Sequence, residues 1–223
     1  DFSECLSGYC VDGYCCDAPC NGLCLTCSAN PGTCEDYDPG TDVENDCGDC
    51  RVCDGSGGCT DATAGEDPKG NCLATAETVC GQDGTCDGSG ACRLWINGTV
   101  CVAQYCFNGN LYADDHCDGA GACDDGGSSS CSPYACNGAG DDCYDSCSDD
   151  THCYPGFWCS LANVCVPKKD LGDDCDGGNE CLSGFCIDGV CCESDCSGDC
   201  KSCNQAGNLG HCSFEANNTD PAG

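Results

Sequence analysis

The sequence predicts a small disulfide-rich fold of mostly short β-hairpins and loops, with almost no helix, extended as an elongated rod of tandem modules. Three observations carry that expectation. Cysteine accounts for 36 of the 223 residues, a 24-residue block recurs 176 residues later, and a C-D-G-x-G-x-C turn recurs through the middle of the chain.

The cysteine count is even, and its density lies well above the roughly 8–10% that marks a disulfide scaffold. Such density belongs to an oxidising compartment, so the expected location is extracellular or cell-surface. Leu, Ile, Val and Phe together number only 26. So few apolar side chains cannot offset a chain entropy of about 1–2 kcal/mol per residue. Cross-links, at about 2–4 kcal/mol each, must lower the entropy of the unfolded state instead. The 33 Gly and 8 Pro disfavour helix. No run approaches the ~18 apolar residues of a membrane-spanning helix. The formal net charge of −33 repels nucleic acid and anionic membranes, so neither is an expected partner. A chain opening on Asp1 rather than Met reads as a processed protein or a segment of a longer one.

The repeat is explicit. Residues 4–27 read ECLSGYCVDGYCCDAPCNGLCLTC and residues 180–203 read ECLSGFCIDGVCCESDCSGDCKSC; 14 of the 24 positions are identical, all seven cysteines among them. Between the copies, CDGSGGC (Cys53–Cys59), CDGSGAC (Cys86–Cys92) and CDGAGAC (Cys117–Cys123) share one pattern, with CNGAGDDC (Cys136–Cys143) as a degenerate fourth. Asp-Gly supplies the positive φ of a tight hairpin turn, and the flanking cysteines can staple neighbouring strands. Four segments follow. Residues 1–46 form a CC-type disulfide module, 47–143 a ladder of C-D-G-x-G-x-C hairpins, 144–174 a small knot, and 175–223 a second CC-type module. Modules that contact mainly their sequence neighbours build repeat architectures.

Alternate cysteines of short hairpins face each other across strands, which predicts the pairs Cys147–Cys159, Cys153–Cys165, Cys175–Cys186 and Cys181–Cys191. Cys34–Cys47 is expected in the first copy. If Cys175 pairs with Cys186, the equivalent Cys10 has its counterpart partner ahead of Asp1, and parity asks for a second outward-looking cysteine, for which Cys212 is the candidate. The partner expected from this is the protein itself, as a head-to-tail homopolymer or a continuing tandem array.

Taken in order, Cys181–Cys203, Thr33–Gly40, Cys80–Cys101 and Cys153–Cys175 resemble the cysteine-rich tandem repeats of secreted and surface proteins of myxobacteria and related deltaproteobacteria. The resemblance covers nearly the whole chain; DCGDCRVC (Asp46–Cys53) departs from it. It implies an exported surface or matrix protein with no enzymatic activity attached to the repeat.

Other chemistries find less support. Cys47, Cys50 and Cys53 form a C-x2-C-x2-C run without the fourth ligand spacing or following Pro of a ferredoxin. The C-x2-C pairs Cys24–Cys27 and Cys200–Cys203 could suit zinc, but the overall spacing suits a secreted framework. His116, His152 and His211 neighbour no nucleophile motif, so no catalytic residue is assigned and no enzyme is expected. Calcium is the one cofactor candidate. Asp36, Asp38, Asp42 and Glu44 alternate around Gly40 in DYDPGTDVE in a pattern resembling the carboxylate ligands of a calcium loop, with DDCYDSCSDD (Asp141–Asp150) a second acidic cluster. The rival reading is a solvated acidic loop, and the counterpart FEANNTDPA (Phe214–Ala222) keeps few carboxylates. The expected function is a structural subunit or segment of a disulfide-stabilised filament or matrix fibre. The alternative is a surface stalk or adhesin module presenting loops.

Overall fold

The computed structural model describes residues 5–28, 30–198 and 200–215. Among these there is no α-helix; three single 3-10 turns, Glu77–Val79, Asp150–His152 and Gly178–Glu180, are the only helical pieces. Turn residues arrive too often for anything longer. Strands run two to five residues, and all strand pairing is antiparallel.

Seven two-stranded hairpins and two three-stranded sheets make up the regular structure of the described residues. The ladder hairpins place their cysteines directly opposite one another: Cys53 faces Cys59, Cys86 faces Cys92, and Cys117 faces Cys123. In each case a neighbouring cysteine bonds each of the two, so the turn is pinned at both feet.

The buried interior is sulfur. Of the described apolar side chains that are buried, all but Val52, Ala62 and Val190 are cysteines. Large aliphatics lie outside, Leu6 and Leu161 fully so. The core is therefore a series of small clusters rather than one body. Cys24, Cys47 and Cys53 form one; Cys50, Ala62, Cys72 and Cys86 another; Cys80, Cys101 and Cys117 a third.

Two compact units result. One holds Asp1–Ala103 and Asp114–Asp125, the other Gln104–Ala113 and Gly126–Gly223. The chain leaves the first unit to form the hairpin of Tyr105–Phe107 and Asn110–Tyr112, returns for strands Asp115–Cys117 and Cys123–Asp124, and leaves again. Compactness thus divides the 47–143 ladder, whose fourth turn belongs to the second unit.

The two CC-type copies repeat in three dimensions, not only in sequence. Leu25–Thr26 pairs with Glu35–Asp36, and Lys201–Ser202 pairs with Ser213–Phe214 in the same register. Asp12 accepts hydrogen bonds from Thr26 Oγ1 (3.0 Å) and the Cys27 amide (3.2 Å). Its counterpart Asp188 accepts from Ser202 Oγ (2.9 Å) and the Cys203 amide (3.0 Å). The Cys34 amide donates to Asp17, and the Cys212 amide to Glu193.

Candidate functional site

Seventeen disulfides use 34 of the cysteines; thirteen of them follow two local rules, and the other four, Cys16–Cys27, Cys20–Cys34, Cys192–Cys203 and Cys196–Cys212, close the two CC-type copies. The first is a four-cysteine knot paired first to third and second to fourth. It joins Cys147 to Cys159 and Cys153 to Cys165, then Cys175 to Cys186 and Cys181 to Cys191. These are the four pairs expected from the sequence, although the cysteines that face each other across the hairpins are Cys159 with Cys165 and Cys186 with Cys191. In the first copy only the second-to-fourth bond, Cys5–Cys15, is present.

The second rule is a chain of staples. In each C-[DN]-G-x-G turn the first cysteine bonds backward to the preceding module, through Cys24–Cys53, Cys50–Cys86, Cys80–Cys117 and Cys106–Cys136, across 29, 36, 37 and 30 residues. The second cysteine of each turn bonds within its own module, through Cys47–Cys59, Cys72–Cys92, Cys101–Cys123 and Cys131–Cys143. The DCGDCRVC run that departs from the family-like pattern is therefore part of the same scheme: Cys47 closes its own module, Cys53 reaches back and Cys50 reaches forward.

Two expected assignments are corrected. Cys34 does not bond Cys47; it bonds Cys20, because pairing of Glu35–Asp36 with Leu25–Thr26 turns Cys34 back against the CC module. Cys47 is held beside the next turn and bonds Cys59. For the same reason Cys212 is not open: it bonds Cys196, the counterpart of Cys20. The two cysteines left unbonded are Cys10, half-buried, and Cys200, exposed. Local pairing within the second copy consumes every cysteine except Cys200, and that remainder was the signal available in the sequence.

The turns are locked by their aspartates. Asp54 Oδ1 accepts from the Ser56 amide, the Ser56 hydroxyl and the Gly58 amide. Asp87 Oδ1 accepts from the Ser89 and Ala91 amides, and Asp118 Oδ1 from the Ala120 and Ala122 amides. Gly55 and Gly57 take positive φ, at 78° each, as the Asp-Gly signal predicts. A Cβ on Gly55 would lie 2.5 Å from the Pro39 ring, so this glycine also admits the preceding loop. Hydrogen bonds from the Ser89 hydroxyl and the Ser89 and Ala91 amides hold Asp87 below the usual carboxylate range. Replacing Asp87 by Ala is expected to speed hydrogen exchange at the Ser89 and Ala91 amides severalfold, while Asp87→Asn, still an acceptor, changes it little.

The calcium candidates are placed on other duties. Asp42 accepts from the amides of Asp46 (2.8 Å) and Cys47 (3.1 Å) and from Lys69 Nζ (2.6 Å). Lys69 also donates to the Gly48 carbonyl. Burial raises the Asp42 carboxyl, but Lys69 and the two amides outweigh it and hold the group below the usual range. The ammonium thus brings the positive charge a divalent ion would bring. Asp67 makes the same cap on the amides of Asn71 and Cys72, in a loop that lacks the acidic alternation. That recurrence identifies capping as Asp42's role. Asp36 lies in the strand Glu35–Asp36 and faces the Gly57 turn. Asp38 lends its backbone carbonyl to Thr41.

Glu44 stands beside the Asp12 carboxyl. Hydrogen bonding to Asp12, burial and the charges of Asp12, Asp46 and Asp42 raise Glu44 to about 7, while Asp12 is held low by the same contact. The pair shares one proton. Folded Glu44 keeps its proton to about 7, whereas the unfolded chain releases it near 4.5. The native state therefore binds more protons across that window, and this contribution to stability falls as pH rises through it. Glu44→Gln is expected to shrink the drop in melting temperature between pH 5 and pH 8; an unchanged drop counts against the pair.

His152, His211 and Trp158 have structural settings. His152 stacks on Tyr144, with centroids 3.8 Å apart, and His211 pairs with Glu193 at 2.8 Å. Trp158 has Lys169 Nζ 5.9 Å from its ring centre, and Lys169 also bonds Glu180 at 2.5 Å, tying the knot to the second CC-type copy. Among the described residues no helix is long and apolar enough to cross a membrane.

Comparison with protein-family models, with curated proteins and with solved structures finds no match to this chain. The internal copies supply the comparison instead.

Proposed function

We propose that this chain is an extracellular structural repeat protein, a segment or subunit of a disulfide-stabilised surface filament or matrix fibre. The observation that carries the reading is the staple series: each hairpin turn is covalently tied to the module before it, four times in succession. Such a series makes tension pass through covalent bonds rather than through apolar packing. The sulfur core, the exposed aliphatics and the −33 charge agree with a solvated, load-bearing role outside a reducing cell interior. The reading assigns no cofactor and no catalytic residue, and it takes the same chain as the partner. Electron microscopy of native, unreduced material tests it. Ordered filaments that fall apart with a thiol reductant are the expected result. Discrete unassembled particles in the unreduced material contradict it and favour a stalk or adhesin module.

A further inference from the structure

We infer that Cys10 and Cys200 are the two halves of a junction between repeat units, each built to take a cysteine of defined setting from a flanking unit. The inference deepens the structural-array reading and rests on it. Cys10 is the third cysteine of a knot: it sits opposite Cys15 as Cys186 sits opposite Cys191. Its counterpart Cys186 is bonded to Cys175, six residues ahead of Cys181. In the other complete knot the first cysteine, Cys147, again precedes the second, Cys153, by six. The partner of Cys10 is therefore a cysteine six residues ahead of Cys5 in register.

Cys200 is the counterpart of Cys24, which is buried and bonded to Cys53. The surroundings match. Cys24 has φ 56° and Cys200 φ 60°; the Cys24 carbonyl accepts from the Tyr37 amide and the Cys200 carbonyl from the Glu215 amide, both at 2.8 Å. What differs is the sulfur, exposed at Cys200 and buried under a hairpin turn at Cys24. All four staples in the chain end on the first cysteine of a C-[DN]-G-x-G turn. The partner of Cys200 is the first cysteine of such a turn. It comes from the same polypeptide or from a second one; the chemistry is the same.

Each junction bond forms by thiol–disulfide exchange with an oxidised dithiol oxidoreductase. The Cys200 thiolate attacks that disulfide, giving a mixed disulfide and one released thiolate. The partner thiolate then attacks the Cys200 sulfur and releases the second. Two protons leave the protein thiols, and two electrons reduce the oxidant to its dithiol.

The test is a disulfide map of native protein, with thiols blocked by N-ethylmaleimide before digestion. The expected result is no blocked thiol, Cys10 linked to a cysteine in C-x5-C spacing with Cys5 or its like, and Cys200 linked to a C-D-G-x-G-x-C peptide. If reduction lowers the chain's mass on a denaturing gel, the partner is a second polypeptide; if not, it is the same one. A Cys10–Cys200 bond, or both thiols blocked, overturns the inference. A second experiment uses the 223-residue chain with the sequence of Asp170–Asp176 placed ahead of Asp1, which sets a cysteine six residues before Cys5. In the oxidised protein the titratable thiols are expected to fall from two to one, that of Cys200; a count of three, with Cys10, Cys200 and the added cysteine all free, overturns it. Filaments with both thiols blocked would sink this junction and spare the filament. Correct junction bonds in unassembled particles would do the reverse.

Discussion

Full reduction is expected to unfold this protein in water at neutral pH without any denaturant. The reason lies in what remains once the bridges open. Apart from cysteine, the buried apolar side chains among the described residues are Val52, Ala62 and Val190. Burying a valine stabilises by about 1.5–3 kcal/mol at most. Ordering the chain costs about 1–2 kcal/mol for every residue. The hairpins are too short to stand alone, since isolated two-stranded hairpins are marginal in water. Charge repulsion at −33 then favours expansion. Loss of chemical-shift dispersion and of strand signal in far-ultraviolet dichroism, complete once all bridges are reduced, is the expected observation. Retained dispersion would mean that a core other than sulfur exists.

The second large effect is expected from removing a single staple. The double variant Cys50→Ala/Cys86→Ala opens a bridge that spans 36 residues and is fully buried at both ends. Loop-closure entropy alone assigns such a bridge about 4 kcal/mol. The loss of packed sulfur against Ala62, Cys72 and Cys92 adds to it. The damage should be local. The turn at Cys86–Cys92 would remain tied to its own module through Cys72–Cys92, but its tie to the module before it would be gone. Limited proteolysis should therefore cut first in the loop between Ala62 and Cys72, leaving the second compact unit intact. Removing Cys147–Cys159 instead should leave that loop protected, because its 12-residue span lies in the other unit.

Much of this was legible in the sequence, and the part that was not has a physical reason. The knot pairs Cys147–Cys159 and Cys181–Cys191 match the pairs expected, but the cysteines that face each other across the hairpins are Cys159 with Cys165 and Cys186 with Cys191, and each bonds a cysteine from the preceding loop instead. The hairpin feet Cys53 and Cys59 follow from the turn between them. The staples do not: nothing in local spacing tells Cys50 to pass over Cys53, Cys59, Cys72 and Cys80 on its way to Cys86. That choice is made by the docking of one module on the next, which Pro39 against Gly55 and Ala64 against Gly88 show at close range. The error at Cys34 has the same root. Forward pairing looked natural along the chain, but strand pairing of Glu35–Asp36 with Leu25–Thr26 sends Cys34 back to Cys20. The acidic loop is a different case. Alternating carboxylates suit a calcium loop and a capping loop equally in the sequence, and what the structure adds is Lys69, a residue 27 positions from Asp42, as a partner of that carboxylate.

The central claim is that covalent staples run from each module to the next. A partial-reduction disulfide map of the intact chain tests it most directly. The account expects peptides joining Cys24 to Cys53, Cys50 to Cys86, Cys80 to Cys117 and Cys106 to Cys136. Bridges confined within each module, such as Cys50 with Cys72 or Cys53 with Cys59, would contradict it.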